Sequence, residues 1–393
     1  MLSQIVAVTG VNLRSLNQRI GSSLVAVFGV VGVVIVFVGV LSIAEGFRSA
    51  MKATGDENTA MVMRSGADSE MTSGLSGEHA RLITEKPGIA TDGGVPVASP
   101  ELLVIVNYPL RRSGTDANVP LRGVESHAFA VHSNVRIVEG RTFIPGKNEV
   151  IAGRAATRQF TGLNVGATVR WGDNEWHVVG VFEAAGSAAE TEIWCDAKVL
   201  QSVYRRGNSY QSVYARLSSH DAFSTLKDAL TLDPRLNVTV IREPEYYERQ
   251  SQTLQTVIRT IGFAIAGLMG LGAIFAAVNT MYNAVASRGR EIATLRALGF
   301  GGIPVVVSVL VESMLISAVG GILGGVLAWV AFDGYQTSTM NFQTFSQVAF
   351  GFAVTPSLLI RGLAYAVVMG LVGGLLPAIR AARLPVVTAL REL

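Results

Sequence analysis

Few residues in this chain stand at spacings that support chemistry. Gly146-Lys147 is followed by Asn148, and the position five before Gly146 is Arg141, so the glycine-rich loop that cradles nucleotide phosphates is missing. Neither H-E-x-x-H nor G-x-S-x-G occurs. The five histidines (His79, His127, His132, His177 and His220) are scattered. His127 and His132 are five apart with no cysteine or carboxylate cluster beside them, so they read as surface histidines and no metal is assigned. Asn237-Val238-Thr239 is a glycosylation sequon, which matters only in a eukaryotic lumen. Cys195 is the only cysteine, so no disulfide can form within the chain. Neither catalysis nor cofactor binding is expected of these residues.

Two places do carry a pointed chemical reading. Glu312 interrupts an apolar stretch, and a carboxylate inside a bilayer costs roughly 2.5–3.5 kcal/mol unless it is paired or near water. Its expected role is structural, accepting hydrogen bonds from a neighbouring helix end or pairing with an arginine; proton coupling is the alternative. The second place is the charged segment from Ser287 to Phe300. Arg290 to Leu298 is rich in helix formers, and Gly299 can supply a left-handed terminating residue. Ile292, Leu295 and Leu298 recur every three residues, which predicts one apolar face for a partner, with Glu291 and Arg296 orienting it. Such a helix could receive force from another protein; the bland alternative is a solvated basic loop.

The elements that position these residues are membrane spans. Only 16% of the 393 residues are charged, against about 25% in ordinary soluble domains. No charge occurs over 20–44, 260–287 or 313–332, and 362–379 is a shorter fourth run. Each approaches or exceeds the ~20 helical residues that cross a bilayer. The first run is too long for the 7–15-residue core of a signal peptide, so it is read as a span. The net charge of +3 does not point to nucleic acid, because residues 46–256 hold 22 Lys and Arg against 24 Asp and Glu. The basic surplus flanks the spans at Arg14, Arg19, Arg288, Arg290, Arg296, Arg380, Arg383 and Arg391, whereas 333–356 has none. By the positive-inside rule both termini and the 288–302 loop face the cytoplasm.

The expected fold is therefore an α-helical membrane protein with four transmembrane helices and an α+β extracytoplasmic domain inserted between the first and second. The division is an interfacial helix over 1–20, spans over 21–45, 256–286, 303–332 and 357–380, an outer domain over 46–255, a loop helix within 287–302, an outer loop over 333–356 and a tail over 381–393. The interfacial reading rests on Leu2, Ile5, Val6, Leu13, Leu16 and Ile20 sharing one arc; extension of the first span is the alternative. In the outer domain, strands are predicted at 58–64, 102–107, 149–152, 176–182, 212–217 and 238–241, and the strand–helix–strand order over 212–241 matches half of a ferredoxin-like unit. Segment 107–123 reads as a boundary, giving an inserted lobe of about 115–205. Gly320 with Gly324 and Gly321 with Gly325 form small-xxx-small pairs, for packing within the chain or against a second copy.

Arg290 to Gly299 (REIATLRALG), Val311-Glu312-Ser313 and the Gly320–Gly325 cluster resemble the permease signature of the MacB/FtsX-like ABC transporter family, which also includes lipoprotein-release permeases. The ending from Leu376-Pro377 to Arg391 resembles that family's last span and tail, and 138–143, 148–151 and 177–182 resemble its extracytoplasmic core domain. The resemblance implies a bacterial inner-membrane permease that works as a dimer, binds two copies of a cytoplasmic ABC ATPase and transmits their closure outward. It makes Arg290–Gly299 the coupling helix, with ATP bound by the partner. About 20 residues precede the first span, so the ATPase is expected to be a separate polypeptide. A periplasmic adaptor or carrier is a further expected partner. Driving export or extraction of a substrate is the leading function; activation of a periplasmic hydrolase by transmembrane signalling is the alternative.

Overall fold

The computed structural model describes residues 4–5, 8–10, 20–341 and 344–385. The chain divides into two units, one of Met1–Glu45, Val257–Tyr335 and Phe352–Leu393, the other of Gly46–Thr256 and Gln336–Gly351.

Among the described residues of the first unit, four helices are long and apolar enough to cross a membrane. They belong to α1 (Ile20–Thr54), α6 (Glu243–Ser287), α8 (Gly302–Phe332) and α9 (Pro356–Ala382). Between α6 and α8 lies the short α7 (Gly289–Ala297). Two helices outrun the expected spans. The 45 residues of α6 make a rod of about 68 Å, twice the hydrocarbon thickness, so the charged stretch up to Arg259 stands outside the membrane. Pro244 falls in the first turn, where a missing N–H costs nothing, and Glu243 and Glu245 suit the positive helix end. The interfacial helix expected over 1–20 lies largely outside the described residues, as do tail residues 386–393.

Glycines set how closely the spans approach. A Cβ on Gly320 would come within 2.9 Å of Val30 Cβ, and one on Gly324 within 2.9 Å of Val34 Cβ. The adjoining pair faces α9: a Cβ on Gly321 would meet Ala366 Cβ at 2.7 Å, and one on Gly325 would meet Leu359 at 3.4 Å. Both stripes are thus occupied inside the chain, one by the first span and one by the fourth. Ser313 Oγ adds an interhelical bond to the Gly370 carbonyl at 2.7 Å.

The second unit begins as a ferredoxin-like layer. Its elements are β1 (Thr59–Arg64), α2 (Gly77–Thr84), β2 (Ala98–Pro109), β9 (Ser212–Arg216), α5 (Ala222–Thr231) and β10 (Val238–Arg242). Strand order β10-β1-β9-β2 interleaves two β-α-β units. Ala60, Val62, Val213 and Ala215 pack under the helix residues Ile83, Leu226 and Leu230. Met61 and Tyr214, of opposite parity, pair on the other face.

Between β2 and β9 the chain builds the lobe from β3 (Asp116–Val124), β4 (Arg136–Gly140), β5 (Glu149–Gly153), α3 (Arg154–Gln159), β6 (Thr168–Trp171), β7 (Asn174–Glu183), β8 (Ile193–Asp196) and α4 (Ala197–Val203). Strand order continues from β2 as β3-β8-β5-β7-β4, and β6 pairs with β7 off this path, making one ten-stranded sheet. The expected boundary at 107–123 is instead a hairpin. β2 pairs with β9 over its first residues and with β3 from Leu102 onward, so the lobe begins inside a strand. The reason is the unbroken apolar run Leu102–Val106, which keeps the backbone extended across both halves.

The expected outer loop 333–356 also carries structure, the hairpin β11 (Gln336–Asn341) and β12 (Ser346–Gly351). It belongs to the second unit, where Asn341 Nδ2 donates to Gln250 Oε1 at 2.9 Å and Asn118 Nδ2 to the Phe345 carbonyl at 2.6 Å.

Candidate functional site

The loop helix α7 ends as its sequence indicates. Gly299 has φ of +92°, and the Phe300 N–H bonds to the Leu295 carbonyl at 3.1 Å. Its faces differ from expectation. Ile292 is only 7% exposed and packs with Val285, Val305, Val309, Ala378 and Ala381, so it anchors the helix and is not open to a partner. Leu295 is half-buried, while Leu298 is 72% exposed. The cause is geometric: three residues turn an α-helix through about 300°, so a three-residue repeat drifts by about 60° per step and leaves one face. Arg290 and Glu291 are exposed. Arg296, expected to orient a partner, donates from Nη1 to the carbonyls of Ala382 at 2.7 Å and Leu384 at 3.0 Å, where it caps the end of α9.

Glu312 pairs with an arginine. Arg288 Nη1 lies 2.7 Å from Glu312 Oε2, and both side chains are about 5% exposed or less. The pair ties the turn between α6 and α7, where Arg288 is the N-cap of α7, to the first half of α8. Beside it is a cavity of about 290 Å³ lined by Val8, Met281, Val285, Leu295 and Val309 as well as the pair. The helix that could meet a partner is therefore fastened to three spans through two arginines and one isoleucine.

A second polar centre lies in the outer unit, on the sheet face that carries Tyr214. Arg122 of β3 is fully enclosed by carboxylates: Nη1 is 2.8 Å from Glu70 and 2.9 Å from Glu101, and Nε is 2.7 Å from Glu192. Ser212 Oγ donates to Glu70 at 2.7 Å, and Trp194 Nε1 to Glu192 at 2.8 Å. His132, read from the sequence as a surface histidine, is buried here instead. Its Nε2 is 2.9 Å from Glu101 and its Nδ1 is 3.7 Å from Glu243. Glu243 is the first residue of α6, and its Oε2 accepts the Asp56 N–H at 3.0 Å. No local pattern marks this centre, because its bonded members stand between 2 and 187 positions apart. Its acidic members Glu70, Glu101, Glu192 and Glu243 share no spacing pattern in the sequence.

The electrostatics of this centre have a sign. Burial pushes the Glu243 carboxyl up to about 7, against the pull of His132. Burial would lower His132, but the Glu101 carboxylate overcomes it and leaves the imidazole above its ordinary value. Glu101 is also buried, yet His132 and Arg122 hold it below the usual carboxylate range. Glu243 and His132 therefore keep protons in the folded chain that the unfolded chain releases. Their stabilisation is fully present at low pH and is lost as pH rises from about 4.5 through 7 and above; Glu101 acts oppositely, below its ordinary value. Each excess proton steepens the dependence by about 1.4 kcal/mol per pH unit. The outer unit is expected to melt at higher temperature at pH 5 than at pH 8, followed by the fluorescence of Trp171, Trp176 and Trp194. Glu243→Gln should flatten that slope; an unchanged slope would show that the carboxyl does not titrate in this range.

The sequence matches the MacB-like periplasmic core domain over residues 23–232 and the FtsX-like permease C-terminal domain over 263–386. It is 26% identical over 312 residues to a macrolide export ATP-binding/permease protein MacB of Paracoccus denitrificans, covering 75% of this chain and 45% of that protein. It is 25% identical over 394 residues to the MacB of Nitrosomonas europaea, covering 95% and 57%. The chain spans about half the length of these curated relatives. Among solved structures, the periplasmic region of MacB from Actinobacillus actinomycetemcomitans aligns with a TM-score of 0.37 at 15% identity, over 53% of this chain and 95% of that one. With one family's core domain covering more than half of the chain and its permease domain covering the remaining spans, this protein is a member of the MacB/FtsX-like ABC transporter permease family.

Proposed function

We propose that this chain is the non-catalytic membrane subunit of an ATP-driven complex in a bacterial inner membrane, and that α7 receives the stroke of a cytoplasmic ABC ATPase. One observation carries the reading. α7 presents Leu298 to solvent while Ile292, Arg288 and Arg296 fasten its neighbourhood to α6, α8 and α9. A helix wired this way passes a push to several spans, whereas a solvated topological loop needs no such anchors. Both termini face the cytoplasm in this reading, and two permease chains pair with two ATPases. The paired surface includes α6, whose apolar residues Phe263, Leu268 and Phe275 are exposed within the single chain. Movement reaches the outer unit and drives export or extraction of a substrate.

The test is Leu298→Asp in the complex purified with its ATPase. Burying one leucine contributes about 1.5–3 kcal/mol, and the substitution adds an unpaired carboxylate to the contact. The expected result is a roughly tenfold or greater weakening of ATPase co-purification and loss of stimulated ATP turnover, with membrane insertion unchanged. Ile292→Asp should instead lower the amount of folded chain. Full co-purification and turnover in Leu298→Asp would leave α7 as a basic loop and nothing more.

A further inference from the structure

A cleft of about 400 Å³ opens in the outer unit between α3, the turn before Ala188 and the β11–β12 hairpin. Three guanidinium groups line it, from Arg112, Arg154 and Arg158, against the carboxylates of Glu183 and Glu190. Both carboxylates are engaged. Glu183 Oε1 is 2.5 Å from Arg154 Nε, and Glu190 Oε1 accepts the N–H groups of Ala184 and Gly186, each at 2.8 Å. Arg112 and Arg158 are exposed and pair with no carboxylate among the described residues. Their neighbour Arg111 differs, since it donates to the Thr157 and Phe160 carbonyls.

Ser187 supplies an independent observation. It lines the same cleft and is 1% exposed, and its Oγ has no hydrogen-bond partner among the described residues. A buried hydroxyl is costly in that state, and an acceptor oxygen entering the cleft would satisfy it.

We propose that this cleft binds a phosphate ester, gripped by Arg112 and Arg158, with Ser187 donating to one of its oxygens. Planar guanidinium forks match phosphate oxygens in bidentate fashion, and two forks plus a hydroxyl offer more donors than the two oxygens of a carboxylate use. The volume falls in the range of about 300–1,000 Å³ typical of small-molecule sites and far exceeds a lone phosphate. Ala155, Ala349 and Phe350 form an apolar wall for the organic remainder. The site lies wholly in the outer unit and does not depend on ATPase coupling.

The experiment is calorimetric titration of the full chain in phosphatidylcholine nanodiscs with glycerol 3-phosphate and, separately, with short-chain dihexanoyl phosphatidic acid. Saturable binding of either probe is expected, the first assigning a soluble ester and the second a lipid headgroup. Arg112→Gln and Arg158→Gln should each weaken it roughly tenfold or more, and Ser187→Ala by a few-fold, as loss of charged and neutral hydrogen bonds requires. Unchanged protection of Cys195 from a thiol reagent shows that these variants remain folded. Binding of neither probe, binding indifferent to the arginines, or equal binding of the carboxylate analogue glycerate would overturn the assignment.

Discussion

Arg122→Met is expected to unfold the lobe of the outer unit. The guanidinium is enclosed by Glu70, Glu101 and Glu192, and removing it leaves three carboxylates buried together. Breaking a buried ion pair from one side costs about 3–5 kcal/mol, a large part of a domain's total stability. Cys195 gives a direct reading, because it is fully buried in the lobe core beside Ile193 and Val150 and is the chain's only thiol. Its labelling by a thiol reagent should be slow in the parent chain and accelerate at least a hundredfold in Arg122→Met. Arg122→Lys should fall between, since a lysine keeps the charge but cannot make the forked contacts. Equal labelling rates in parent and variant would mean that the cluster contributes nothing net.

The second large effect is expected at the Arg288–Glu312 pair. Glu312→Leu removes the carboxylate that lies 2.7 Å from the buried Arg288 Nη1, and breaking a buried ion pair from one side costs about 3–5 kcal/mol. The variant should yield little folded chain after detergent extraction, with a markedly lower melting temperature. Adding Arg288→Met to Glu312→Leu should restore most of the lost stability, because an apolar pair fills the space without desolvating charge. The rescued chain then separates structure from coupling. In the complex proposed above, ATPase stimulation should return with stability if the pair only joins helices, and should stay low in a well-folded chain if its polarity matters to the proposed stroke. A single variant as stable as the parent would show that the ion pair contributes nothing net to the fold.

What the sequence determined was whatever depends on neighbours along the chain. Charge-free runs of sufficient length define four spans, because a bilayer accepts helices and penalises charge whatever lies elsewhere in the fold. The strand–helix–strand order over 212–241 indicates the ferredoxin-like half, and Gly299 marks the end of α7. That Glu312 needs a partner was also legible, since an unpaired carboxylate in a span is costly. Tertiary structure decided the rest, where distance along the chain no longer predicts distance in space. Which arginine answers Glu312 depended on how α6 returns toward α8, and Arg296, equally basic and eight residues on, went instead to the carbonyls of α9. Ile292 turned inward and Leu298 outward because helical rotation splits a three-residue repeat against whatever surface the spans supply. The glycine stripes could have met a second copy, and only the packing of α1 and α9 showed that they are already filled. His132 joined a buried carboxylate network whose members come from separate strands and a helix start, and no spacing rule reaches across a ten-stranded sheet.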